Sequence, residues 1–245
     1  MSRPVRLFHA SDLHFGSEDR VALDWFARCV AEDQPDAVII TGDLTMRARH
    51  REFAAAREWL LSLERPVTVE IGNHDMPYFN LVERFVTPYK RYAAMEAMVE
   101  RTIDLPGVAI VPLHTTAPAQ LRLNWSKGIV TRKALDRTLG GMQAVPSEAM
   151  VLVAAHHPLV ETGTRGTALT RGGNRALKAL ARAGATAVLS GHVHDPFDLT
   201  HSNEHGSIRM IGAGTLSERI RTTRPSFNQL TVEQGALAVS VRAMA

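Results

Sequence analysis

Side chains able to bind a metal gather in five short clusters along this 245-residue chain: Asp12 with His14, Gly42-Asp43, Gly72-Asn73-His74-Asp75, His156-His157-Pro158, and Gly191-His192-Val193-His194. A donor set of carboxylate, imidazole and amide oxygen suits manganese, iron or zinc better than calcium, which prefers oxygen alone. The chain carries 11 histidines, and imidazole is both the commonest side-chain metal ligand and the usual proton carrier near neutral pH. Asp12 and His14 are two residues apart, so in an extended segment both side chains leave on one side and can grip one ion. His192 and His194 repeat that spacing. Gly42, Gly72 and Gly191 permit sharp turns or a close backbone approach where a bulkier residue would block an ion-binding corner.

The elements that must position these groups are short apolar runs alternating with helical patterns. Val5 to Ala10, Asp36 to Thr41, Val67 to Ile71, Val108 to Leu113, Met150 to Ala155 and Thr186 to Ser190 read as strands. Arg20 to Ala31, Ala48 to Leu63 and Asn174 to Ala183 read as helices, and Thr131 as the N-cap of a helix through about Leu139. Tyr78 to Arg101 is helical but interrupted at Pro88. Gln120 to Lys127 has no clear period. After Phe197, the runs Ile208 to Ile211, Phe227 to Val232 and Leu237 to Val241 read as mostly antiparallel closing strands. This alternation predicts an α/β fold. The clusters follow strands at their carboxyl ends, where open α/β sheets bind ligands, so all five can meet.

Taken singly, Asp-x-His or Gly-Asp is a commonplace turn or strand-end pair, and Gly-Asn-His-Asp alone is an ordinary Asn/Asp turn. Taken in order, the blocks resemble the signature of the calcineurin-like metallophosphoesterase superfamily: Asp-x-His, Gly-Asp, Gly-Asn-His-Asp, a later His, and Gly-His-x-His. The resemblance covers Phe8 to His194, and five ordered blocks are far more specific than any one of them. Size, spacing and His14 within Asp-x-His make the chain look most similar to the bacterial class III cyclic-nucleotide and related phosphodiesterases.

The resemblance implies a four-layer α-β-β-α sandwich of two mixed sheets with a dinuclear metal site at strand carboxyl ends. It also implies the ligands: Asp12, His14, Asp43 and His194 for one ion, and Asp43, Asn73, His156 and His192 for the other, with Asp43 bridging. His156 rather than His157 is the ligand, because the family pattern places proline two residues after it. Two cations would make a bridging hydroxide for in-line attack on phosphorus, with no covalent enzyme intermediate. His74 would protonate the leaving alkoxide or hold the phosphate, with Asp75 fixing its orientation.

Composition narrows the rest. Hydrophobic residues make up 45% and charged residues 22%, and no apolar stretch approaches the roughly 20 residues of a membrane helix. One domain spanning residues 1–245 is expected. The N-terminus has no apolar leader segment, so the expected location is cytoplasmic. The single cysteine, Cys29, excludes an internal disulfide and a cysteine-built zinc site, and its apolar neighbours assign it to the core. A net charge of +3 mildly favours anionic substrates but does not mark a nucleic-acid binder.

The expected partner is therefore a small phosphoester, such as a cyclic nucleotide or glycerophosphodiester. A phosphomonoesterase or nuclease is the alternative, and a metal-poor protein-binding scaffold ranks below both, because no expected ligand is missing. His9 is expected in the core or behind the ligands, His114 at a strand end, and His50, His201 and His205 at the surface. His157 is expected to orient or pack. Arg165, Arg171, Arg219 and Arg221 lie in polar segments able to meet phosphate, with solvated surface the expectation for most. Tyr78, Phe79, Phe85, Tyr89 and Tyr92 are expected mainly in the core, with a substrate-side cap as the lesser alternative.

Overall fold

The computed structural model describes residues 3–101, 103–204 and 206–245. Its strands form two five-stranded sheets. In the first, β1 (Val5–Ala10), β2 (Ala37–Ile40) and β3 (Val67–Val69) run parallel, and β9 (Ser226–Glu233) and β10 (Ala236–Ala243) close the other edge antiparallel. In the second, β4 (Val108–Leu113), β5 (Met150–Ala155), β6 (Ala185–Ser190) and β8 (Gly206–Gly212) run parallel, and β7 (Phe197–Asn203) adds an antiparallel edge.

Three apolar clusters explain the layering. Leu7, Ile39 and Leu230 of the first sheet meet Leu152, Leu189 and Ile211 of the second between the sheets. The outer face of the first sheet packs on α1 (Arg20–Asp33) and α2 (His50–Ser62) through Phe8, Phe26, Phe53 and Leu60. The outer face of the second packs on α5 (Arg132–Gln143) and α6 (Gly173–Arg182) through Leu135, Leu177 and Leu180. The result is the expected four-layer α-β-β-α sandwich. β2 and β5 are buried throughout because apolar layers cover both faces, hence their unbroken apolar runs.

Pro88 divides its helical region into α3 (Leu81–Val86) and α4 (Lys90–Val99). Thr131 caps α5 by accepting from Ala134 N at 3.1 Å. Two expectations need correction. β7 escaped the sequence reading because an exposed edge strand reading FDLTHSN carries no apolar run. β8 is antiparallel only to β7 and joins β6 in parallel, so the closing strands divide between the sheets. Among the described residues, no helix is long and apolar enough to cross a membrane.

Candidate metal centre

Each cluster sits where a parallel strand ends, and the two sheets bring them together. Asp12 and His14 follow β1, Asp43 follows β2, and the 3₁₀ turn Asn73–Asp75 follows β3. His156 follows β5, and His192 and His194 follow β6. His14 Nε2 lies 3.3 Å from His194 Nε2, although the two residues are 180 apart in sequence. Asp12 Oδ1 is 3.1 Å from His194 Nε2 and 3.6 Å from His14 Nε2. Asp43 Oδ2 is 3.8 Å from His14 Nε2 and 3.4 Å from His156 Nε2, so it stands between two groups of donors. Asn73 Oδ1 is 3.2 Å from His156 Nε2.

The second ring nitrogens fix which atoms face inward. His156 Nδ1 donates to Thr41 O at 2.8 Å, and His194 Nδ1 donates to Arg219 O at 2.6 Å. Each ring therefore turns its Nε2 into the site, an arrangement that orients metal-binding imidazoles. Lone pairs of Asp12, Asp43, Asn73, His156 and His194 converge with few protons to share, and buried Asp12 Oδ1 has no hydrogen-bond partner among the described residues. Atoms bound about 2.1 Å from one cation stand about 3.0–3.4 Å apart in octahedral or tetrahedral geometry, close to the spacings found here. The cluster fits two metal ions.

Close approach is enforced by glycine. A Cβ at Gly72 would fall 2.1 Å from Asp43 N and Oδ1, and one at Gly191 would fall 1.8 Å from Ser11 Oγ. The backbone is also unusual at the donors. Asp12 (φ 57), His14 (φ 48), Asp43 (φ 52), His192 (φ 68) and His194 (φ 60) all adopt left-handed conformations. Asp12 and His14 are therefore not on an extended segment, and turns rather than strand alternation aim their side chains. Left-handed backbone costs an L-residue about 1–2 kcal/mol. Hydrogen bonds hold it in place: Asp12 N to Gly42 O at 3.0 Å, His14 N to Asp43 O at 3.0 Å, and His192 N to Asp12 Oδ2 at 2.8 Å.

Electrostatics follow from these contacts. Burial alone would raise the pKa of Asp12, but His194 and His14 outweigh it and hold the carboxyl well below its usual value. For Asp43, burial is likewise outweighed, chiefly by His156 and His74. Burial also opposes charge on His156, yet Asp43 and Asp12 push its pKa up to about 10. Two cations would take over the role of these protons.

Several surrounding residues depart from expectation. Asp75 makes no hydrogen bond to the His74 ring. It accepts from Leu44 N, Thr45 N and Gly72 N at 3.1, 2.8 and 2.9 Å, tying the 3₁₀ turn to the end of β2. Burial and the Asp43 charge push its pKa up to about 7, against these hydrogen bonds. The His74 ring is instead oriented by Met46, whose carbonyl accepts from Nδ1 at 2.7 Å.

Arg219 is not solvated surface, because its Nη1 lies 3.1 Å from His74 Nε2 and it lines the cleft with Arg221. The segment after His194 is held by Asp195 Oδ1, which accepts from Thr222 N and Thr223 N at 3.0 Å each. No motif announced this arginine. Arg165, Arg171 and His50 are exposed as expected, while His201 is half-buried and His205 lies outside the described residues.

His192 groups with His156 and His157, whose ligand nitrogens all lie within 4.8 Å of one another. His157 has no nitrogen left for a metal: Nδ1 is 2.9 Å from Thr115 Oγ1, and Nε2 donates to Ser126 O at 2.9 Å. Burial and the neighbouring His156 push its pKa down to about 3. His9 lies behind the site, its Nε2 3.0 Å from Thr41 Oγ1. His114 is outside it, paired with Glu70 at 2.8 Å. Among Tyr78, Phe79, Phe85, Tyr89 and Tyr92 only Tyr92 is buried, so the core expectation fails for the other four. The cleft over the cluster has a volume of about 230 Å³ and is walled by Asn124, Ser126, Lys127 and Thr167.

A four-layer sandwich with a carboxylate–imidazole cluster across its strand ends defines the class, a candidate metal-dependent hydrolase. The profile of the calcineurin-like phosphoesterases matches residues 5–196, and the chain belongs to that family. A probable cyclic nucleotide phosphodiesterase of Synechococcus sp. is 27% identical over 173 residues, covering 66% of this chain and 59% of the relative. The chain thus aligns with under two thirds of that relative's length. Among solved structures, a dimetal phosphatase from Danio rerio superposes with a TM-score of 0.70 at 13% identity over 98% of this chain and 97% of that one. The purple acid phosphatase PPD1 of yellow lupin (Lupinus luteus) gives 0.66 at 15% identity over 99% and 52%. These likenesses are of fold.

Proposed function

We propose that the protein is a dinuclear-metal phosphodiesterase acting on small diesters. The observation that carries this reading is the convergence of Asp12 Oδ1, His14 Nε2 and His194 Nε2 without enough protons to satisfy them. Asp12, His14, Asp43 and His194 would hold one cation, and Asp43, Asn73, His156 and His192 the other. When bound, the two would supply Lewis-acid chemistry, making a water acidic enough to attack phosphorus and offsetting the charge of the phosphoryl group. Manganese, iron and zinc all suit this donor set.

The chain's own contribution lies at His74 and Arg219. Asp43 Oδ1 accepts from His74 N at 2.8 Å, so the acid is fixed relative to the bridging carboxylate. With Nδ1–H committed to Met46 O and Nε2 facing the Arg219 donor, His74 can protonate a leaving oxygen only from Nε2, after Arg219 has turned away and Nε2 has taken up a proton from solvent. The guanidinium therefore turns from the ring to a phosphate oxygen when substrate enters, and its fork stabilises charge there. Lys127 and Arg221 extend the cationic wall. The 27% identical relative supports a diester, whereas this wall would also suit a dianionic monoester.

The test is a panel of bis-p-nitrophenyl phosphate, p-nitrophenyl phosphate and cyclic AMP, with manganese, iron or zinc restored to metal-stripped protein. Diester turnover above monoester turnover is expected. The reverse order would replace the reading with a phosphomonoesterase, and no metal-dependent turnover would refute the enzyme.

A further inference from the structure

A cavity of about 480 Å³, twice the volume of the metal cleft, lies beneath α4 beside the start of α5. None of the proposed ligands lines it. One wall is apolar and aromatic, built from Ile71, Tyr89, Tyr92, Ala93 and Pro118. Polar groups converge on the same space. Thr116 lines it at 6% exposure, and its Oγ1 has no hydrogen-bond partner among the described residues. Beneath it Glu70, 2% exposed, pairs with cavity-lining His114 through Oε1, and its buried Oε2 is also unpartnered among the described residues. Glu96 enters from α4, its Oε1 2.9 Å from Tyr92 Oη.

A buried hydroxyl without a partner costs about 1–3 kcal/mol, so Thr116 Oγ1, in the cavity wall, marks where a ligand's hydrogen bond belongs. The lining also carries positive charge. Lys133 and Arg137, one turn apart on α5, both line the cavity and have no ion-pair partner among the described residues. Lys133 is in the first turn of that helix, two residues after its N-cap Thr131, where the backbone dipole favours an anion, and Arg137 follows one turn on. An aromatic wall, an unpartnered buried hydroxyl and two cations match a flat ring carrying a phosphate.

We propose that this cavity is a second ligand site that takes a nucleoside monophosphate. The base lies against Tyr89, Tyr92 and Ile71 with its polar edge toward Thr116 and Glu96, and the phosphate meets Lys133 and Arg137. Ile71 directly precedes Gly72-Asn73, and Thr116 follows Thr115, which anchors His157, so the occupant touches both segments that lead into the metal cluster.

The site is tested apart from hydrolysis, by calorimetric titration of the full chain with AMP after metal removal by EDTA. Saturable binding at one site is expected. The double variant Lys133→Glu/Arg137→Glu, at exposed positions, should weaken binding at least tenfold while metal-restored hydrolysis of bis-p-nitrophenyl phosphate stays at the parent rate. Arg219→Ala should leave AMP affinity unchanged. Absence of saturable binding would overturn the proposal, as would loss of binding with Arg219→Ala but not with the double variant, which would put AMP in the metal cleft. Equal displacement of AMP by inorganic phosphate would reduce the site to an anion contact and overturn the nucleotide.

Discussion

The metal cluster and the segments flanking its cleft are opposites in construction. Asp12, His14, Asp43 and His156 are almost wholly buried, and each is fixed by backbone or side-chain contacts from more than one strand end. The flanking segments, residues 78–86 and 121–125, expose apolar groups instead: Val82 is 74% exposed, Leu121 95% and Leu123 106%. They are held instead through polar and ring contacts, among them Arg84 Nε donating to Pro118 O at 2.8 Å, the Glu83–Arg91 ion pair, Arg122 Nη1 donating to Leu169 O at 2.9 Å and the edge-on contact of Phe85 with Trp125 at 6.2 Å. The donor cluster is deep, whereas these segments leave apolar side chains uncovered at the surface, so substitutions on the two sides should differ in kind.

The largest effect should come from Asp43→Ala, which removes the carboxylate standing between both donor groups. Turnover should fall by about a thousandfold or more, and elemental analysis should show fewer than two metals per chain. Full metal content with normal turnover would break the comparison at its centre. Arg219→Ala should lower kcat/KM by about a hundredfold with metal content unchanged. Rescue by Arg219→Lys should be poor, since an ammonium lacks the planar fork.

His157→Gln tests the link between the two regions, because His157 joins the end of β5 to Ser126 in the cleft wall. A drop in kcat/KM of about tenfold, carried by KM and with metals retained, is the expected result. An effect confined to kcat would move His157 into the cluster's own chemistry. Smallest of all, Leu121→Ser/Leu123→Ser should shift stability by no more than about 0.5 kcal/mol in a denaturant melt, and leave turnover of bis-p-nitrophenyl phosphate within twofold. A larger loss would show that these exposed side chains are held by contacts the chain needs for folding.

Much of the cluster was legible because the same residues do two jobs. An unbroken apolar run such as Met150–Ala155 marks a strand covered on both faces, and the polar residues next to it then mark its carboxyl end. What could not be read was set by contacts between distant segments. The left-handed backbone at Asp12 and His14 depends on carbonyls of Gly42 and Asp43 in the neighbouring strand's turn. Arg219 reaches His74 from 145 residues away, in a Thr-rich segment with no period of its own. The partner of the His74 ring is a backbone carbonyl, at Met46, which leaves no trace in residue identity. Periodicity around Tyr78 to Tyr92 indicates a helix region but not which of its sides is left uncovered, so it cannot separate the exposed Tyr78, Phe79 and Phe85 from the buried Tyr92.

The 180-residue separation of His14 and His194 carries a consequence for folding. The first sheet supplies Asp12, His14, Asp43 and Asn73, and the second supplies His156, His192 and His194, so no cation can find its full set of donors until the sheets have docked. Closing such long loops comes late on a folding route. Bound metal should then act as a latch on the finished molecule. In stopped-flow experiments it should slow unfolding while leaving the refolding rate nearly unchanged, and a metal-dependent acceleration of refolding would show that the cluster forms before the sheets meet.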